Sequence, residues 1–82
     1  MLKVLIVDDQ KTVQELLKDY LNSEPTLDII GFAENGQTAL EMVRVHRPDI
    51  VLMDIEMPIL DGLTATKIIT EQFVKSSVLI LS

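Results

Sequence analysis

"KVLIVDDQ" (residues 3–10) runs four aliphatic residues, Val4–Val7, straight into two adjacent aspartates. The run is too short for a helix, is rich in β-branched residues and shows no polar alternation. A strand buried on both faces of a parallel sheet reads this way. Asp8 and Asp9 then set two negative charges where such a strand leaves the core, and the rest of the chain must explain them.

Three more runs share this character: Ile29–Ala33, interrupted by Gly31, then Ile50–Met53 and Val78–Leu81. Between them lie three helical patterns. Val13, Leu16, Leu17, Tyr20 and Leu21 form an apolar stripe at helical spacing, ended by "NSEP" (22–25). Asn35 is placed to cap a second helix that buries Ala39, Leu40 and Val43 and stops before Pro48. Asp61-Gly62 opens a third, with Ala65, Ile68, Ile69 and Phe73 inward. The order βαβαβαβ predicts one α/β domain over residues 1–82, an open parallel sheet with right-handed crossovers. Ligands of such sheets sit outside the carboxyl ends of the strands, where the strand order reverses.

Composition narrows the chemistry. Hydrophobic residues make up 48% of the 82, so the chain has a core to bury. It has no cysteine, which excludes disulfides, a thiolate metal site and a cysteine nucleophile. No apolar run approaches membrane-spanning length and no signal-peptide layout opens the chain, so a cytoplasmic location is expected. A net charge of −6, with seven scattered basic residues, argues against direct binding of nucleic acid.

Asp8 and Asp9 end the first run and Asp54 ends the third, in "DIVLMDIEMP" (49–58). If those strands are neighbours, three carboxylates converge. Like charges so close repel by about several kcal/mol at an effective dielectric of ~20. A proton or a cation must relieve that, and an all-oxygen donor set suits Mg²⁺. A phosphate donor held there could be attacked by a carboxylate. Asp54, alone at its strand end, is the better nucleophile, with Asp8 and Asp9 as the metal clamp. Ser82, at the end of the fourth run, could donate a hydrogen bond to the new phosphoryl group. Other signals read more plainly: His46 complements the dipole in a helix's last turn, and the methionines, apart from Met57 in the loop after Asp54, pack in the core.

"VLIVDDQ", "AENGQTALEMV", "PDIVLMDIEMPILDG" and "VLILS" together resemble the successive signatures of the receiver domain of two-component response regulators. The flavour is similar to receivers attached to a helix-turn-helix region of the NarL/FixJ type. The resemblance implies a CheY-like, flavodoxin-like sheet of strand order 2-1-3-4. It implies Asp54 as phosphoacceptor, Asp8 and Asp9 as the Mg²⁺ pair, and the backbone carbonyl of Glu56 as a further ligand. Pro58 matches the residue that shapes the loop beyond the acceptor, Gly62 opens the next helix, and Ser82 matches the switch hydroxyl. It also implies a histidine kinase as phosphodonor, a helix-turn-helix output domain outside this chain, and a switch rather than an enzyme.

Receivers continue with a helix, a fifth strand ending in a lysine, and a final helix, and none of these follows Ser82. The expectations are therefore a C-terminally incomplete receiver, weak or absent stable phosphorylation of the 82 residues alone, and either a place in a longer polypeptide or completion by self-association through an exposed strand 78–82. One helix on one sheet face against two on the other should leave apolar sheet uncovered. Two other functions compete. One is a phosphorylation-independent interaction or dimerisation module. The other is a phosphohydrolase, poorly matched because "DIEMP" offers Glu56 and then Pro58. A dinucleotide-binding enzyme fails for lack of a glycine-rich loop after the first strand.

Overall fold

The computed structural model describes residues 1–81. Strand β1 spans Leu2–Val7, helix α1 Lys11–Asn22, β2 Leu27–Ala33, α2 Gly36–His46, β3 Ile50–Asp54, α3 Gly62–Gln72 and β4 Ser77–Leu81. All strand pairs are parallel and the sheet order is β2-β1-β3-β4, the expected topology. A one-residue irregularity between Val4 and Leu5 skips Ile30 in the β1–β2 ladder. No described helix is long and apolar enough to cross a membrane.

Side chains alternate across the central strands. Leu5, Val7, Val51 and Met53 bury one face against Ala39 and Val43 of α2 and Ala65 and Ile69 of α3. Val4 and Ile6, equally buried, point to the opposite face, where α1 packs on β1 and β2. The helix starts follow their caps. The Asn35 side chain accepts from the Thr38 N–H at 2.8 Å, and Asp61 accepts from the Thr64 N–H at 2.8 Å. Arg47 closes α2 in the left-handed region (φ 48°) just before Pro48, and its guanidinium lies 5.0 Å from the Phe73 ring centroid.

The α1 stripe departs from expectation. Val13, Leu17 and Leu21 face the sheet, but Leu16 and Tyr20 remain 69% and 79% exposed. The sheet beneath α1 is only β1 and β2, narrower than the arc the apolar residues cover. The same face is uncovered farther along, where Leu79 of β4 is exposed beside half-buried Leu52. The lopsided helix coverage expected from the crossovers is thus present.

Candidate functional site

The register that builds the core also builds the site. Val7 pairs with Met53, so the next residues, Asp8 and Asp54, leave adjacent strands at the same end of the sheet. Asp8, Asp9 and Asp54 each offer a carboxylate oxygen, and these atoms all lie within 4.8 Å of one another. The cluster inferred from sequence is therefore assembled. Asp8 is buried, Asp54 half-buried and Asp9 exposed.

Asp8 is held at three atoms. Its N–H donates to the Ala33 carbonyl of β2 at 3.0 Å. Its Oδ1 accepts from the Gln10 N–H at 2.9 Å, and its carbonyl accepts from Gln14 Nε2 at 2.7 Å. Burial pushes the Asp8 carboxyl above its ordinary value. The Gln10 N–H opposes that shift, and the charges of Asp54 and then Asp9 add to it.

These residues fit a hard divalent cation. The donor set is all oxygen, one carboxylate is desolvated, and Asp54 and Asp9 add repulsion to that burial. A cavity of about 320 Å³ lined by Gln10, Asp54, Ile55 and Glu56 opens beside Asp54, with room for a phosphoryl-sized group.

The loop after Asp54 is tightly folded. The Gly62 N–H donates to the Ile55 carbonyl at 2.7 Å, and the Leu60 N–H to the Pro58 carbonyl at 2.8 Å. A Cβ on Gly62 would overlap the Asp54 carbonyl oxygen, so α3 can start here only with glycine. The Gly36 N–H donates to the Leu60 carbonyl at 2.9 Å, tying the start of α2 to this loop. Ile59 takes φ 71°, rare for a β-branched residue, and is 81% exposed.

Glu56 and Pro58 are exposed on this loop. Ser82 lies outside the described residues. His46 stands at the opposite end of the sheet, where its carbonyl accepts from Lys3 Nζ. Gln10 and Gln14 were not singled out in the sequence. Gln14 carried a usable signal: it shares a helical face with Leu17 and Leu21, a polar residue on a buried stripe.

The family model described as "Response regulator receiver domain" matches residues 4–82. The chain is 51% identical over 69 residues to protein-glutamate methylesterase/protein-glutamine glutaminase 1 of Syntrophomonas wolfei, covering 84% of the chain and 20% of that protein. It is 45% identical over all 82 residues to transcriptional regulatory protein LnrK of Bacillus subtilis, covering 37% of it. Among solved structures, a chain of the CheX–CheY–BeF3–Mg²⁺ complex from Borrelia burgdorferi superposes with a TM-score of 0.91 at 34% identity. That match covers 96% of this chain and 60% of the other. The chain thus spans about a fifth of the methylesterase and just over a third of the regulator. Similarity runs to both, so the NarL/FixJ subtype is not singled out.

Proposed function

The chain belongs to the response regulator receiver domain family, and from that premise we propose that it is a phosphorylation switch whose acceptor is Asp54. The observation that carries this reading is the meeting of Asp8, Asp9 and Asp54 within 4.8 Å at the ends of adjacent strands.

In the proposed reaction a carboxylate oxygen of Asp54 attacks the phosphorus of a kinase phosphohistidine. A P–O bond forms, the P–N bond breaks, and the departing imidazole takes up a proton. Asp8 and Asp9 would hold Mg²⁺, with the Glu56 carbonyl as a further ligand. When bound, the ion neutralises charge on the phosphoryl oxygens. The Gln10 N–H keeps the Asp8 carboxylate aimed into the cluster. The Ile55–Gly62 hydrogen bond holds the loop that carries Glu56 against the end of β3. Phosphorylation would bias a surface read by an output domain. That output is a DNA-binding one in the reading favoured by the sequence, and the likeness to LnrK supports it.

Intact mass after incubation with Mg²⁺ and phosphoramidate tests the reading. The expected result is one added phosphoryl group, in however small a fraction of the chain, absent without Mg²⁺ and absent in Asp54→Asn. Equal labelling of Asp54→Asn would refute Asp54 as acceptor. A folded wild type that binds Mg²⁺ but gains nothing would favour the phosphorylation-independent interaction module.

A further inference from the structure

Gln14 is a buried polar residue on a helix face that otherwise meets the sheet through Val13, Leu17 and Leu21. A buried amide needs a partner, and this one reaches out of α1 to the Asp8 carbonyl at 2.7 Å. That acceptor belongs to the peptide joining Asp8 to Asp9. A peptide unit is planar and stiff, so fixing the Asp8 carbonyl also fixes the direction in which the chain enters Asp9. Gln10 makes no capping hydrogen bond through its own side chain, so the start of α1 is tied to this turn by two side-chain bonds, Gln14 Nε2 to the Asp8 carbonyl and the Gln10 N–H to Asp8 Oδ1.

We propose that Gln14 is a positioning residue for the metal site. Its side-chain N–H locks the Asp8–Asp9 peptide so that both carboxylates converge with Asp54. The role rests on the Mg²⁺ reading given above. Gln14 touches neither the ion nor the phosphoryl group; it acts through the backbone of the two clamp residues.

Calorimetric titration of the full chain with Mg²⁺ tests this, alongside urea unfolding with and without the ion. Gln14→Met keeps length and bulk but removes the donor. Gln14→Asn keeps the donor but draws it back by one methylene. Each is expected to weaken Mg²⁺ binding ~3–10-fold, below the roughly 10–100-fold of a partner bonded directly to a ligand. A purely structural role would lower stability equally with and without Mg²⁺ and leave the dissociation constant unchanged. That result in either folded variant overturns the proposal. If both variants fail to fold, Gln14 serves the fold itself and the proposal is likewise overturned. A wild type with no saturable Mg²⁺ binding overturns the metal reading as well, which distinguishes the two failures.

Discussion

Gly62→Ala should be among the most damaging small substitutions in the chain. The added methyl would overlap the Asp54 carbonyl oxygen and lie 2.8 Å from the Asp54 carbonyl carbon and 2.9 Å from Ile55 Cα. All three are backbone atoms at the end of β3, so no rotamer change relieves the clash. Either α3 moves out or the end of β3 moves back. Both stretch the 2.7 Å hydrogen bond from the Gly62 N–H to the Ile55 carbonyl. Overpacking costs about 1–3 kcal/mol, and stranding a buried N–H costs about 1–3 kcal/mol more. Alanine returns up to ~1 kcal/mol through helix propensity and a less flexible unfolded chain. The net loss is therefore about 1–6 kcal/mol. With a urea m-value of roughly 1 kcal/mol/M for so small a domain, the midpoint should fall by about 1 M or more. Gly31→Ala is the control, because its new Cβ meets only the mobile Met42 Cε, at 2.5 Å. That change should cost under ~1 kcal/mol. A Gly62→Ala midpoint within about 0.5 M of wild type would show that the loop does not hold Asp54 as described.

Ile59 sits at φ 71° with its side chain in solvent. Ile59→Asn should therefore stabilise the domain by about 1 kcal/mol, seen as a higher urea midpoint, by suiting the left-handed backbone; an unchanged or lower midpoint contradicts that account. Asp8 gives a pH prediction. Its carboxyl is held above the ordinary 3.8, so the folded state keeps a proton that the unfolded chain has released. Its contribution to stability therefore falls as pH rises from 3.8 through the folded value. Asp8→Asn should flatten that dependence and raise the metal-free stability at neutral pH. It should also abolish stabilisation by Mg²⁺. Urea titrations across pH, with and without the ion, check both halves, and a steeper pH dependence in the variant would refute the cause assigned to the shift.

The strands and helix starts were legible because short β-branched runs and capping residues report local preferences directly. Extensions of those elements were not. β2 begins at Leu27 rather than Ile29, and β1 at Leu2, because Leu2 pairs with Leu27 and Lys3 with Asp28 through the backbone. Ladder pairing does not depend on hydrophobicity, so polar positions such as Asp28 carry no sign of it. The three aspartates were legible as a cluster because strand ends in a parallel sheet share one edge. Gln14 was legible only in part: periodicity sets it on the buried face of its helix, but its role lies in which carbonyl stands opposite it, and helical periodicity does not encode that. Leu16 and Tyr20 mislead in the same way, since an apolar stripe gives the face of a helix but not the width of the surface beneath it.

The site and the core are set by one register, and this explains why charge can be gathered here at all. Slipping β3 by one residue against β1 would turn Val51 and Met53 to the opposite face and move Asp54 by ~3.3 Å along the strand. The buried pairs Leu5–Val51 and Val7–Met53 oppose that slip far more strongly than any interaction among the carboxylates could. Repulsion within the cluster therefore cannot relax by sliding the strands. It persists in the folded chain, where the charges of Asp54 and Asp9 add to the upward push that burial already gives the Asp8 carboxyl, and it is what the proposed cation would relieve. The order of cause runs from apolar register to carboxylate geometry to cation affinity. Core substitutions at Val51 or Met53 should thus disturb the metal site more than surface changes much nearer to it.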